Sequence, residues 1–288
     1  MKGIFWNSCG FGDPAKFRFI SECVKEHHLD FIAILETRKQ SFTPANLRNL
    51  CVGKDFLWHE KPPVGRSGGI LLGVNLAVFD IGSISEGDFY VKFQLRNKED
   101  GFKWVLMAVY GAAQPDLKEQ FLTELAHTCS NESQPLLVGG DFNIIMSQEE
   151  KNNNPFDPRW PFLFNAVIDS LNLREIDLSG RQFTWANNLE NPTYEKLDRV
   201  LMNTEWEQKF SLVTCKALPR TISDHSPIIL RSSSHAHFGN QPLFRFELGW
   251  LQRDGFYEMV PKEWHYINKG NTPMERWSHR IAHLRQHL

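Results

Sequence analysis

The sequence predicts a layered α/β sandwich whose sheets contain both parallel and antiparallel strands. Up to about residue 230, short apolar runs typical of strands alternate with amphipathic segments typical of helices. Some neighbouring strand-like runs are separated by only a few turn residues, which predicts antiparallel hairpins and excludes a purely parallel sheet. Helices that cover the apolar faces of such sheets give the layered packing.

The individual elements follow from these runs in chain order. Strands are predicted at GIFWN, FIAIL, GGILLGV, FYVKFQL, KWVLMAVY, PLLVGG, QFTW, EKLDRVLM and PIIL. Helices are predicted at AKFRFISECVKEHH, DLKEQFLTELAHTC and PFLFNAVIDSL. The segment NKEDG joins FYVKFQL to KWVLMAVY, and the segment ANNLENPTYEK is typical of an extended hairpin tip between QFTW and the LDRV run.

Composition changes after Arg231, where we place a domain boundary. Residues 1–231 are predicted to form one domain, and the Ser-, Gly- and His-rich residues 232–242 a linker. Residues 243–288 are predicted to form a helical extension, whose aromatic side chains favour a binding partner. For the whole chain we expect a monomer.

The composition is that of a soluble protein with a substantial core, since 41% of its 288 residues are hydrophobic. No apolar run is long enough for a membrane span or a signal peptide, so we expect an intracellular protein that does not bind membranes. The five cysteines are scattered without a CxxC pair, which favours neither a disulfide framework nor a zinc site. A net charge of −2 gives no support to nucleic-acid binding by side chains alone, but a bound metal ion would change that balance.

Five polar signatures lie at or near the ends of strand-like runs, where layered α/β folds place their ligands. They are centred on Asn7, Glu36, Asp141 with Asn143, Asp198, and Asp224 with His225. Each has a structural explanation on its own: turn residues, a loop acid, an Asx turn, a surface ion pair, or a core or capping histidine. Their occurrence together favours a catalytic site.

The chemistry that these side chains support is hydrolysis of a phosphate ester. A hard divalent cation prefers oxygen ligands, which Glu36 and Asn7 offer. Asp141 is suited to take a proton from an attacking water, with Asn143 holding the water or the phosphate. His225 is suited to donate a hydrogen bond to the pentacovalent centre, and Asp198 to fix its tautomer and raise its pKa.

The ordered set WN, LET, VYGA, GDFN, LDRV and SDH resembles the exonuclease/endonuclease/phosphatase superfamily over residues 1 to about 231. Within it, the likeness is greatest to the endonuclease domain of plant LINE (non-LTR) retrotransposons. The segments that carry it are WNSCGFGDPAKF, ILETR, GRSGGILLGV, GDFNIIMSQEEK, GRQFTWANN, EKLDRVLMN and RTISDHSPIIL.

The resemblance implies a four-layer α/β sandwich with two mixed sheets, and a Mg²⁺-dependent nick of DNA that leaves a 3′-hydroxyl for target-primed reverse transcription. Mn²⁺ is expected to substitute, and the nucleus is the expected location. The implied roles are metal binding for Asn7, Glu36 and Asp224, and positioning of the scissile phosphate for Tyr110. Asp141, Asn143, Asp198 and His225 are the implied catalytic set.

Two further expectations concern the family's polyprotein and its DNA contacts. The polyprotein continues into a reverse transcriptase, so residues 243–288 are expected to resemble the start of the region leading to it, in a truncated copy or excised fragment. The hairpin tip is expected to touch the DNA groove or to be an inert surface turn. Candidate phosphate contacts are Arg66, Arg181, Lys196, Arg199 and Arg220.

Three alternatives to the DNA endonuclease remain open at the level of sequence. The same core residues serve phosphatases of small phosphoesters, among them phosphoinositides, and endonucleases that cut at apurinic sites. A third alternative is an inactive remnant that keeps only the fold.

Overall fold

A computed structural model of the chain describes residues 1–51, 53–64, 68–232, 251, 253, 255–266, 276–277, 280 and 283–284. The chain divides into two compact units, residues 1–234 and 235–288. Most of the predicted linker lies outside the described residues, so the predicted boundary after residue 231 stays a prediction. No helix among the described residues has the length and apolar character needed to cross a membrane.

The strands of the first unit form two large sheets and a small hairpin. In chain order they are β1 (Lys2–Asn7), β2 (Phe31–Leu35), β3 (Phe56–Lys61), β4 (Ile70–Asn75), β5 (Phe79–Glu86), β6 (Tyr90–Asn97), β7 (Lys103–Tyr110), β8 (Leu136–Asp141), β9 (Arg174–Glu175), β10 (Leu178–Ser179), β11 (Trp185–Ala186), β12 (Tyr194–Glu195), β13 (Asp198–Met202), β14 (Thr214–Ala217) and β15 (Ile228–Arg231).

Both large sheets are mixed, as predicted. The first has the order β10-β14-β15-β1-β2-β4-β3, with β1 parallel to β2 and antiparallel to β15. The second has the order β5-β6-β7-β8-β13-β9, with β7 parallel to β8. The predicted hairpin of β6 and β7 is confirmed by their antiparallel pairing.

Helices connect many of the strands, and the longer helices cover the outer faces of the two sheets. They are α1 (Pro14–His27), α2 (Pro44–Leu50), α3 (Pro115–Ser130), the 3₁₀ turn η1 (Gln148–Glu150), α4 (Arg159–Ser170) and α5 (Thr204–Lys209). Proline in the first turn begins α1, and the Asp13 carboxylate caps it by accepting from Ala15 N.

Three apolar clusters separate the layers. One lies between the sheets and contains Phe5, Leu72, Leu106 and Val200. A second joins α1 and α2 to the first sheet, and a third joins α3 and α4 to the second. The predicted four-layer α/β sandwich is therefore confirmed.

Two predicted strands are shorter than the sequence pattern indicates. QFTW contributes only β11, and EKLDRVLM divides into β12 and β13. The Thr184 hydroxyl causes this division, because its Oγ1 accepts the backbone N–H groups of both Leu197 and Asp198, at 3.0 Å each. A side-chain oxygen therefore satisfies donors that a continuous strand would give to its neighbour.

The second unit is described only in part. Helix α6 spans Phe256–Tyr266 and carries Pro261 inside it. His283 lies within this unit, where its Nε2 is 2.8 Å from a Glu263 carboxylate oxygen and its ring stacks on Tyr266. The predicted helical extension over residues 243–288 and its expected partner stay predictions.

Candidate active site

The predicted site residues lie at one edge of the sandwich. Asn7 ends β1, Tyr110 ends β7 and Asp141 ends β8, while Glu36 directly follows β2. In the second sheet, Asp141 is the register partner of both Tyr110 and Asp198. Because the antiparallel β13 begins where β8 ends, carboxyl ends of some strands and amino ends of others meet at the same edge.

Asp141 is fully buried and accepts three hydrogen bonds from amide groups. Its Oδ2 accepts from Asn7 Nδ2 at 2.8 Å and from Asn143 Nδ2 at 3.2 Å, and its Oδ1 accepts from the Asn143 backbone N at 2.9 Å. Burial raises the pKa of Asp141, because the anion is poorly solvated there. The three N–H donors hold the carboxylate as an acceptor in a fixed orientation.

His225 forms a buried pair with Asp198. The Nδ1 atom of His225 is 2.7 Å from Asp198 Oδ2, and its Nε2 is 3.7 Å from Asp141 Oδ2. Burial alone would lower the pKa of His225, but the charges of Asp198 and Asp141 more than offset it and raise that pKa to about 9. An imidazolium whose Nδ1 is bonded to Asp198 presents Nε2 as a donor beside Asp141.

Glu36 occupies a tight turn after β2, with a left-handed φ of 50°. Gly69 makes this turn possible, since a Cβ there would lie 2.4 Å from Thr37 Oγ1. Burial and the charges of Glu36 and Asp141 raise the pKa of Tyr110, so its hydroxyl stays protonated and able to donate. Within the GRSGGILLGV segment, the backbone oxygens of Gly68 and Gly69 accept from the N–H groups of Arg38 and Thr37, at 3.0 and 3.1 Å, and so support the turn that carries Glu36.

Asp224 is held beside Asn7 by the loop before β15. Its Oδ2 accepts from Trp185 Nε1 at 3.2 Å, and its Oδ1 lies 3.3 Å from Ser223 Oγ. The Ser223 hydroxyl also lies 2.9 Å from the Asn7 backbone oxygen, to which it donates. The loop therefore connects the Asn7 strand end to the hairpin that carries Trp185.

By the chemistry of their donor atoms, Glu36, Asn7 and Asp224 suit a hard divalent cation. These residues offer carboxylate and amide oxygens, the type of ligand that Mg²⁺ prefers, and the Arg38 guanidinium is bound to Glu36. Among the described residues, one group of three acidic or histidine side chains has ligand atoms within 4.8 Å of one another: Asp141, Asp198 and His225. Protonated His225 would repel a cation there.

Comparison with known proteins places this geometry in a family. Residues 4–225 match the model of the Endonuclease/Exonuclease/phosphatase family. The chain belongs to this family. A comparison with curated protein sequences gave no match.

Several solved structures share the fold. The endonuclease domain of TRAS1, a telomere-specific non-LTR retrotransposon, has a TM-score of 0.63 at 12% identity, covering 81% of this chain and 99% of that one. The 3′ phosphatase NExo from Neisseria, bound to a product DNA hairpin, has a TM-score of 0.62 at 16% identity, with 81% and 99% covered. The AP endonuclease LMAP from Leishmania major gives 0.62 at 16%, with 80% and 86% covered.

Arg199 follows Asp198 in the LDRV element of this member of the Endonuclease/Exonuclease/phosphatase family. Its side chain is buried and so is not accessible to DNA. Its Nη2 donates to Glu150 at 2.8 Å and its Nη1 to Glu175 at 3.0 Å. The prediction that Arg199 contacts DNA is wrong, because its charge is neutralised in the core. Lys196 Nζ joins the same cluster, 2.8 Å from Glu175, so its ammonium is already paired.

Two other candidate DNA contacts remain available to solvent. Arg181 is exposed, and the Arg220 guanidinium lies 5.7 Å from the ring centre of Tyr194 in β12. Arg66 lies outside the described residues. The predicted hairpin is present, with β11 paired antiparallel to β12, and Leu189 between these strands is 67% exposed.

Three contributing residues escaped the sequence analysis. Arg38 stands two residues after Glu36, and this short spacing could have indicated an ion pair between the two side chains. Thr184 stands inside the QFTW motif, where its hydroxyl shapes the start of β13. Lys118 lies on α3 and donates from Nζ to the Asn143 backbone oxygen at 2.8 Å, a contact that nothing in the local sequence indicates.

Proposed function

We propose that the chain is a Mg²⁺-dependent DNA endonuclease of LINE-retrotransposon type that nicks a phosphodiester bond and leaves a 3′-hydroxyl. One observation carries the proposal. A buried carboxylate, Asp141, is aligned by Asn7 and Asn143 and faces the His225–Asp198 pair at 3.7 Å, beside the Glu36 carboxylate. A general base and a cationic donor at this spacing suit attack of water on a phosphate.

The residues divide the reaction between them. Asp141 takes a proton from a water molecule, whose oxygen bonds to phosphorus while the bond from phosphorus to the 3′ oxygen breaks, and the departing 3′ oxygen takes up a proton from solvent to become the 3′-hydroxyl. His225 donates from Nε2 to the phosphate oxygens as their charge grows, and Asp198 stabilises that imidazolium. Tyr110 donates its hydroxyl to the phosphate, which positions it. Glu36, Asn7 and Asp224 would hold Mg²⁺, which neutralises phosphate charge when bound.

DNA as the substrate is supported by the surroundings of the site. The β11–β12 hairpin connects to it through the Trp185 hydrogen bond to Asp224, and Arg220 lies beside that hairpin on Tyr194. A partly exposed guanidinium next to an aromatic ring suits a phosphate and sugar backbone. The retrotransposon origin is supported by the sequence motifs and by the fold shared with the TRAS1 endonuclease domain. A nuclear location follows from this proposal.

Nicking of supercoiled plasmid tests the proposal. Purified protein with Mg²⁺ should convert closed plasmid to open circles, Mn²⁺ should substitute, and EDTA should stop the reaction. A polymerase should extend the nicks directly, because they end in a 3′-hydroxyl. Glu36→Ala, Asp141→Ala and His225→Ala should each lower the rate by at least about 10³-fold. Asp80→Ala, at a surface pair with Arg96, is the matched control.

The remaining alternatives are separated by substrate. Preferred cleavage of a duplex with one abasic site would indicate an apurinic-site endonuclease, and release of phosphate from inositol phosphates would indicate a small-molecule phosphatase. Plasmid that stays closed in both Mg²⁺ and Mn²⁺, while circular dichroism shows a folded protein, would contradict the endonuclease and favour the fold-only remnant.

A further inference from the structure

Arg38 makes a two-nitrogen contact with the carboxylate to which the proposed function assigns the metal ion. Its Nε donates to Glu36 Oε1 at 2.9 Å, and its Nη2 donates to the same oxygen. Nη2 also lies 3.4 Å from Cys9 Sγ. The Arg38 side chain is 45% exposed and that of Glu36 only 10%, so the guanidinium covers a largely buried carboxylate.

The backbone builds this pairing into the turn. Glu36 and Arg38 both have left-handed φ values, 50° and 52°, an arrangement that side chains other than glycine rarely adopt. The Arg38 N–H donates to the Gly68 oxygen at 3.0 Å, and the Gly10 N–H donates to the Glu36 oxygen at 2.7 Å. With both ends of the turn bonded, the two side chains are brought together by the local chain geometry.

The contact and a metal ion exclude each other at this oxygen. A divalent cation approaches a carboxylate oxygen to about 2.1 Å, and that oxygen is already an acceptor for two N–H groups of one guanidinium. The guanidinium is always charged, so it would also repel the ion from a few ångströms away. The neighbouring groups Asp141 and Asp224 are carboxyls and do not supply this repulsion.

We propose that Arg38 is a resident counter-cation of Glu36 that competes with the divalent metal ion, so that metal binding at Oε1 requires the guanidinium to leave that oxygen. The inference rests on the proposed function, because that function assigns Glu36 to the metal. Arg38 is accordingly a positioning residue that fixes the Glu36 carboxylate before the ion arrives and sets the metal concentration at which the ion replaces it.

Lys39 provides a matched control for charge alone. It follows Arg38 directly, and its ammonium lies over the rings of Phe17 and Phe42, 5.8 and 5.5 Å from their centres. Lys39→Gln therefore removes one positive charge from the same loop without removing a contact to Glu36. Arg38→Lys keeps the charge but loses the planar two-nitrogen fork, which separates geometry from charge.

The test measures Mn²⁺ binding to the metal-free protein without DNA, by calorimetry or by electron paramagnetic resonance. Arg38→Gln should bind Mn²⁺ about 3- to 10-fold more tightly than the unaltered chain, and Arg38→Lys should lie between them. Lys39→Gln should change the affinity less than about 2-fold. In EDTA, Arg38→Gln should melt at a lower temperature than Lys39→Gln, and saturating Mn²⁺ should close that gap.

Two outcomes would overturn the inference in distinguishable ways. If the unaltered chain binds Mn²⁺ and nicks plasmid but Arg38→Gln binds the ion equally or more weakly, Arg38 does not compete and only this inference fails. If neither protein binds Mn²⁺ and plasmid stays closed, the proposed function fails as well. Glu36→Gln should abolish the binding in both backgrounds, which verifies that the measured ion occupies this carboxylate.

Discussion

The Asp198–His225 pair gives the sharpest prediction about the chemistry. Asp198→Asn replaces the carboxylate 2.7 Å from His225 Nδ1 with an amide of the same size, at a site that is 2% exposed. The amide carries no charge, so the imidazolium loses its nearest counter-ion. Among the groups that raise the pKa of His225, Asp198 contributes most. The variant should therefore lower that pKa from about 9 to 6.5 or below.

The size of the effect follows from the change in protonation. Moving the pKa from about 9 to the ordinary 6.5 removes about 3 kcal/mol of stabilisation of the imidazolium. At pH 8 the protonated fraction falls from roughly 90% to roughly 3%, about a 30-fold loss, and at pH 6 by less than about 2-fold. Loss of orientation at Nδ1 adds to this, so nicking at pH 8 should fall by at least about 10²-fold.

Two measurements check this prediction. Nitrogen-edited NMR of the metal-free protein follows the titration of the His225 ring, and plasmid nicking is measured from pH 6 to pH 8. The defect should grow as pH rises, because the variant loses its proton first. Asp80→Asn, a surface carboxylate paired with Arg96, should leave both measurements unchanged. An unaltered His225 pKa, or a defect that does not change with pH, would refute the reasoning.

Two other predictions concern stability. Gly140→Ala should lower the free energy of unfolding in urea by at least about 3 kcal/mol or prevent folding, because its φ is +144° and a Cβ would lie 2.1 Å from the Val109 oxygen. Gly12 has open space around it, so Gly12→Ala should have little effect. Similar losses of stability in the two variants would contradict this reasoning. Glu150→Gln should cost about 1–3 kcal/mol at pH 7, because it weakens the support of buried Arg199. Burial alone would raise the pKa of Glu150, but Arg199 holds that pKa below its ordinary value. The stabilisation from the Glu150 carboxylate is therefore present above the unfolded pKa near 4.5 and is lost as pH falls through the folded pKa. The difference from the unaltered chain should shrink as pH falls below 4.5, and exposed Glu149→Gln is the control.

The sequence predicts central strands far better than edge strands, for a physical reason. Strands such as β2 and β8 are buried on both faces and read as continuous apolar runs. The edge strands β3 and β5 were missed, because their runs FLWHEK and FDIGSISE mix polar and apolar residues. An edge strand pairs with a neighbour on one side only, and its other side faces solvent. Its side chains therefore need not form a continuous apolar run, and the sequence pattern of a strand is weak there.

The site could be predicted as a set of residue types, but not as a set of contacts. Asn7, Asp141 and His225 stand in motifs at strand ends, and the structure brings them together. Lys118 contacts Asn143 because of how helix α3 is placed, and Arg38 contacts Glu36 because of the shape of one turn. The Lys118 contact is not visible in the sequence, because the distance between its two partners is set by packing between a helix and a sheet.

The one clear error, Arg199, could have been avoided by applying strand periodicity to the LDRV motif. Successive side chains in a strand point to opposite faces, so Asp198 and Arg199 cannot both face the site. Asp198 faces His225, and the Arg199 guanidinium lies 5.5 Å from the ring centre of Phe164 in α4 on the other side of the sheet. Both are buried, because β13 lies between β8 and β9. Two adjacent charged residues within a central strand therefore indicate two separate buried networks, one on each face, rather than an exposed ion pair.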